Sequence, residues 1–376
     1  MENGHLVSRQ SDFIVYSVEA SLLNNVVAMY GPSTKIGAIV AGQTSVKAPE
    51  KEAFEKHLPA DTSIISIHSL HGPTVKPDGQ ALIIIKYRGT DKQTQLVERI
   101  LTPLNSRFVP MTYEEHDLIT ANTQAVTHAA FLSMGTAWKC SGQFPWETGR
   151  YIGGIEVIKT NIALRIYAAK WHVYAGLAIM NPSAKILIAQ YAQSVTILFK
   201  LMIEEKETEL RNRVFAARDF VFGKPSDPGS RNTPVLLEES VLDQFAIGSP
   251  SNIDKAAPNS HLSLLAMVDC WHQMKIKPFV HLALAATPVF KLWIGVAEYL
   301  FRSEERLEGA IQAACWDKSH RSDDTEFAIA ARGWSQCVEH GSFEWYKSRF
   351  DETRAFFEPR FKESAEKNAK LMAAFA

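Results

Sequence analysis

An α/β domain followed by an all-α domain is the fold that the sequence predicts, on three observations. Over the first third, short apolar β-branched runs alternate with helix-patterned stretches, the spacing of βαβ units in a mainly parallel sheet. From Tyr113 onward helical periodicity takes over and β-rich runs become scarce. Between them, the run Asp61-Thr-Ser-Ile-Ile-Ser-Ile-His-Ser-Leu-His-Gly-Pro73 ends abruptly in His68 and a Gly-Pro loop. That pattern delivers an imidazole to the carboxyl edge of the sheet, where open α/β sheets take their ligands.

The elements follow in order. Phe13–Val18 reads as a strand, Ala20–Tyr30 as a helix, Ile36–Ala41 as a second strand and Pro49–Leu58 as a helix with proline in its first turn. Ser63–His68 and Ala81–Tyr87 are the third and fourth strands, Lys92–Leu104 a helix and Arg107–Val109 a short strand. Beyond them, His116–Lys139, Asn161–Met180 and Ser183–Phe222 carry helical periodicity, with Asn181-Pro182 marking a break because the residue before proline avoids the α region. Gly223–Pro234 is rich in glycine and proline and reads as a loop. Further helices are expected near 260–276, 279–302, 304–316, 324–339 and 343–372. The domains are therefore set at 1–111 and 112–376, with a loop or linker near 223–235.

Composition narrows the function. With 40 basic against 41 acidic residues the formal charge is -1, so no global field recruits nucleic acid or a membrane surface, and a small molecule held by local charges is expected. Cys140, Cys270, Cys315 and Cys337 lie far apart with no CxxC pair, which predicts free thiols and no zinc or disulfide framework. The histidines show no metal-ligand spacing, so no metal is expected. The first ten residues lack the apolar core of a signal peptide. Pro288, Lys291 and Glu298 interrupt the apolar stretch 281–301, which reads as a buried helix pair rather than a span. The expected location is cytoplasmic.

Several side chains are placed to do chemistry. His68 is a proton-transfer candidate because an imidazole titrates near physiological pH; otherwise it is a surface histidine capping a strand. In the loop Gly42-Gln-Thr-Ser-Val-Lys47, Ser45 could bind a substrate hydroxyl or orient that imidazole, or could serve the start of the next helix. Lys47 reads as solvated. Gln124 and His128 stand four apart and share a helix face among small and apolar residues, where they meet either an interdomain partner or a ligand. Arg165, alone on an apolar helix, suits bidentate capture of a carboxylate or pairs with an internal acid. Cys270 and Cys315 read as core thiols.

Phrases along nearly the whole chain resemble the prephenate dehydrogenase family, in particular its fungal NADP-dependent members of tyrosine biosynthesis. They include Gly4-His-Leu-Val-Ser-Arg-Gln-Ser-Asp12, Ile67-His-Ser-Leu-His-Gly-Pro73, Thr112-Tyr-Glu-Glu-His-Asp117, Gln124-Ala-Val-Thr-His-Ala-Ala-Phe-Leu-Ser-Met134, Lys170-Trp-His-Val-Tyr-Ala-Gly-Leu-Ala-Ile179 and Pro258-Asn-Ser-His-Leu-Ser-Leu-Leu265. The resemblance implies oxidative decarboxylation of prephenate to 4-hydroxyphenylpyruvate with hydride transfer to NADP. It selects Ser45 and His68 as catalytic, Gln124, His128 and Arg165 as substrate-binding, and a homodimer built through the helical domain. One departure accompanies it. No G-x-G-x-x-G phosphate-binding turn occurs anywhere in the chain. The expectation is an incomplete Rossmann-type parallel sheet that begins partway through, with Ser17, Val18 and Glu19 as what remains of the cofactor wall. Reduced NADP affinity would follow. A catalytically silent truncated relative and an arogenate dehydrogenase are the alternatives.

Overall fold

The computed structural model describes residues 3–72, 75–148, 154–223, 259–285 and 287–374. Apart from Gly223, the expected loop at 223–235 lies outside them. Two compact units emerge. The first takes in the chain up to Ala121 together with His172–Ala184 and Ala283–Thr287, and the second takes in Asn122–Trp171, Lys185–Leu282 and Pro288–Ala376.

The first unit is built on five strands in the order β1-β2-β3-β4-β5: β1 Phe13–Tyr16, β2 Ile39–Gly42, β3 Ser63–Ser69, β4 Ala81–Arg88 and β5 Arg107–Pro110. β1, β2 and β3 run parallel, joined through α2 (Ala20–Tyr30) and α3 (Ala48–His57). Right-handed crossovers that step the same way along a sheet put both helices on one face, and α2 and α3 pack together there over Ile14, Tyr16, Val40 and Ile64. The opposite face packs Ile39, Ala41, Ile65, Ile67, Leu82 and Ile84 against Val97 of α4 (Asp91–Leu101). A Thr90–Gln93 capping box starts α4.

The sheet, expected to be parallel, is mixed. β4 is antiparallel to β3, with His68 opposite Ile83, and β5 is parallel to β4. Only residues 70–80 join β3 to β4, too few for the helical crossover that a parallel neighbour needs. A short helix, α1 (Gly4–Gln10), precedes β1 and was not expected from the sequence pattern. Beyond β5, a second capping box, Thr112 with Glu115, opens α5 (Tyr113–Thr120).

The helical unit departs from the expected boundaries at three points. The helix expected over His116–Lys139 is α5, a π-helical turn at Ala121–Ala125, then α6 (Val126–Ser141). Single π turns inside helices are frequent at functional sites. The expected Asn161–Met180 helix is two, α7 (Gly154–Ala168) and α8 (Trp171–Ile179). The Ser183–Phe222 stretch is also two, α9 (Pro182–Ile203) and α10 (Glu207–Phe222), with Glu205 at φ 55 between them. Electrostatics explains that break. Glu204 and Glu205 would face the negative end of the α9 dipole, whereas Glu207 and Glu209 sit in the first turn of α10, where carboxylates are favoured.

α11 (Leu262–Gln273) follows, then the pair α12 (Pro278–Ala285) and α13 (Pro288–Arg302) that breaks at proline as expected, and α14 (Glu304–Trp316), α15 (Arg321–His340), α16 (Phe343–Phe357) and α17 (Phe361–Ala374). α6 is central to this unit. Trp334 of α15 donates to Thr136 at 2.9 Å, and Tyr167 of α7 donates to the Leu132 carbonyl at 2.7 Å. Gly135 permits that approach, since a Cβ there would lie 2.2 Å from the Tyr167 ring.

Candidate active site

In the α/β unit, β3 carries Ser66 and His68 on the face that α3 and α5 cover. His68 is 6% exposed and its Nδ1 lies 2.7 Å from Nε2 of His116, on α5. His116 is buried, and its Nδ1 lies 2.9 Å from Oδ1 of Asp117. That carboxylate also accepts the backbone N–H groups of Lys47, on Oδ1, and Ala48, on Oδ2, both at 2.7 Å, at the start of α3. The contacts fix the tautomers if Asp117 is ionised. A carboxylate only accepts, so His116 carries its proton on Nδ1 and accepts at Nε2. His68 then donates through Nδ1, and its Nε2 lone pair is left open, with no hydrogen bond among the described residues.

The charges agree with that assignment. Burial pushes the His68 pKa well below the ordinary imidazole value, and His116, Lys47 and His71 push it the same way. Burial does the same to His116, with Lys47 adding to it. Burial raises Asp117 to about 6 against the two backbone donors that lower it. Near neutral pH the chain is therefore carboxylate, neutral imidazole, neutral imidazole: a base whose proton can be shared inward.

The floor of this site is a buried ion pair. Lys47 and Glu50 have no exposed side-chain surface and lie 2.8 Å apart. Thr44 donates its hydroxyl to Glu50 at 2.6 Å. The expectation that Lys47 is solvated is wrong: the chain folds over it, and its charge is met by Glu50. Ser45, in the same loop, is half-buried, and its hydroxyl makes no hydrogen bond among the described residues. The imidazole of His68 is oriented by His116 rather than by Ser45, which leaves Ser45 free for a ligand.

In the helical unit, Gln124 lies in the π turn and His128 one turn on in α6, both half-buried. The Gln124 amide nitrogen is buried without a hydrogen-bond partner among the described residues. Burial lowers His128 to about 4, so this imidazole is neutral. Arg165 is half-buried on α7, a helix otherwise almost wholly buried, and makes no ion pair or hydrogen bond among the described residues. An unmatched guanidinium in such surroundings calls for an anion.

Comparison with known proteins decides the family. Residues 125–376 match the family model of the 6-phosphogluconate dehydrogenase C-terminal domain. Over 366 residues the chain is 52% identical to the "Probable prephenate dehydrogenase [NADP(+)]" of Schizosaccharomyces pombe, covering 97% of this chain and 84% of that one. It is likewise 52% identical over 371 residues to the "Prephenate dehydrogenase [NADP(+)]" of Saccharomyces cerevisiae, covering 97% and 80%. The chain belongs to the prephenate dehydrogenase family. The crystal structure of prephenate dehydrogenase from Aquifex aeolicus aligns with 56% of this chain and 77% of its own, at 17% identity and a TM-score of 0.45.

For a prephenate dehydrogenase, the nucleotide side of the α/β unit can be tested against the residues present. Ser17, Val18 and Glu19 leave the carboxyl end of β1 beside the loop that leaves β2, with Ser17 and Glu19 exposed and Val18 half-buried. Glu19 sits at the N-cap of α2 without capping it through its side chain. An open hydroxyl and carboxylate suit the hydroxyls of a ribose and the uncharged nicotinamide end. They offer nothing to a pyrophosphate, and no glycine-rich turn occurs in the sequence to do so. The fit is to one end of the dinucleotide.

Sequence reasoning missed His116, Asp117 and the Lys47–Glu50 pair. The phrase Thr112-Tyr-Glu-Glu-His-Asp117 carries the first two, but its capping box made it look like an ordinary helix start.

Proposed function

We propose that this protein is an NADP-dependent prephenate dehydrogenase that converts prephenate to 4-hydroxyphenylpyruvate and carbon dioxide. The observation that carries the reading is His68: a neutral imidazole at the end of β3, oriented through His116 and Asp117, with Nε2 open. NADP, when bound, supplies the acceptor for the hydride that leaves the ring carbon bearing the hydroxyl. Ser17, Val18 and Glu19 are assigned to its nicotinamide and ribose end.

The chain's own residues handle the proton and the carboxylates. His68 Nε2 accepts a hydrogen bond from the ring hydroxyl and takes its proton as the carbonyl forms, help worth about 10²–10⁴ in rate. The charge that arrives can be shared through His116 toward Asp117, so a buried imidazolium is not left uncompensated. Ser45, unbonded in the same loop, is assigned to hold that hydroxyl. Arg165 is assigned to a substrate carboxylate, with Gln124 and His128 as further polar contacts. Assembly as a homodimer belongs to the same reading.

The test is reduced-nicotinamide absorbance from the purified chain with prephenate and saturating NADP, run beside arogenate. Turnover of prephenate that His68→Asn abolishes, with prephenate binding retained by calorimetry, is expected. No turnover, or a His68→Asn variant as fast as the parent, would sink the reading.

A further inference from the structure

We propose that Lys47 is a positioning residue for this reaction, acting on His68 through the strand ends it ties together. The inference rests on the reading of His68 as the base. Lys47 is wholly buried, and each direction from its ammonium is used: Glu50 at 2.8 and 3.0 Å, the Gly42 carbonyl at 3.0 Å and the Ile67 carbonyl at 3.0 Å. Gly42 is the last residue of β2, and Ile67 immediately precedes His68 on β3. The cation thus fastens the carboxyl ends of two neighbouring parallel strands, one peptide away from the imidazole.

The same residue reaches the other end of the relay. Its backbone N–H donates at 2.7 Å to Asp117 Oδ1, the oxygen that orients His116. Glu50 holds the ammonium in place and is itself held by Thr44, and its carboxylate lies so close under the strand that a Cβ at Gly42 would come within 2.1 Å of it. A buried ion pair is seldom the most stable filling for a core. Its geometry here instead sets where His68 stands.

The charge has a second effect. The groups facing His68 are His116 and, behind it, Asp117 on α5, Lys47 at the start of α3 and His71 in the loop after β3. Burial is the main cause of the low His68 pKa, and the Lys47 cation adds to it. Lys47 therefore helps to keep His68 free of a proton and ready to accept one.

Lys47→Met alone would strand the Glu50 carboxylate, so the test is the double variant Lys47→Met/Glu50→Gln, with the His68 imidazole followed by ¹⁵N NMR across pH and assigned by its loss in His68→Asn. The expected result is a His68 titration displaced to higher pH. With it should come a kcat reduced by about 10- to 100-fold and a KM for prephenate little changed. A folded double variant whose His68 titrates as in the parent would overturn the proposal. Should circular dichroism show the double variant unfolded, Glu50→Gln decides. A His68 titration at or below the parent's supports the role of the cation, and an upward displacement refutes it. The titration needs no turnover, so a parent inactive toward prephenate would sink the functional reading separately.

Discussion

Asp117→Asn tests the relay from its inner end. The carboxylate meets three donors: His116 Nδ1 and the Lys47 N–H on Oδ1, and the Ala48 N–H on Oδ2. An amide keeps one oxygen. With that oxygen toward His116, the amide nitrogen opposes the Ala48 N–H, donor against donor. Turned over, the amide satisfies Ala48 and donates to His116 Nδ1, and the Lys47 N–H is left without an acceptor. The second orientation moves the His116 proton to Nε2, makes His68 Nδ1 an acceptor and puts the His68 proton on Nε2, where it blocks the base. Each orientation loses one hydrogen bond, so both are populated, and neither supplies the negative charge that steadies an imidazolium.

Stability responds differently. A folded pKa of about 6 against an ordinary 3.8 means that this Asp favours the fold most below pH 3.8 and loses that contribution as pH rises through 6. By pH 7 the difference is about 3 kcal/mol, at roughly 1.4 kcal/mol per pH unit. Asparagine removes that penalty and adds one unmet backbone donor, about 1–3 kcal/mol. The two nearly cancel. The expected variant at pH 7 loses about 10²-fold or more in kcat, while its calorimetric Tm stays within about 5 °C of the parent. Turnover within about threefold of the parent would refute the relay. A collapse in Tm would refute the energetic argument, because the lost activity would then report unfolding.

Other perturbations test the remaining parts. Arg165→Ala should raise the KM for prephenate by about ten- to a hundredfold, the worth of one charge-assisted contact, with a smaller change in kcat; an unchanged KM removes Arg165 from the carboxylate role. Gly42→Ala places a Cβ 2.1 Å from the Glu50 carboxylate, which cannot retreat without leaving Lys47 and Thr44. A loss of about 3–5 kcal/mol is expected by urea unfolding, and a stability equal to the parent's would show that the pair is not held as described.

What the sequence made legible follows from which interactions are local. α2 is observed at Ala20–Tyr30, the predicted range, because its ends are set by neighbouring residues. His68 was visible because a β-branched run, a histidine and a Gly-Pro pair are adjacent in the chain. The antiparallel β4 was missed although its signal was present, a connection too short for a crossover helix. The partners of His68 were hidden by distance along the chain: the contact to His116 spans 48 residues, and that from Lys47 to Asp117 spans 70. No pattern read over a few turns reports such a meeting.

Lys47 shows the limit most sharply. Lys47–Glu50 and Arg360–Glu363 share the same i,i+3 spacing, yet the first pair has no exposed side-chain surface while the second is 31% and 40% exposed. Spacing cannot separate them, because the strand ends and the α5 carboxylate decide which pair is covered. One local clue did point the right way. Lys47 is the N-cap of α3, and a cation there opposes the positive end of the helix dipole. With Pro49 fixing the helix start, a lysine at that position needs compensation from acceptors, and Glu50 in the first turn is only part of it. The carbonyls of Gly42 and Ile67 supply the rest, so the residue that conflicts with its own helix is the one that joins α3 to the strand bearing His68.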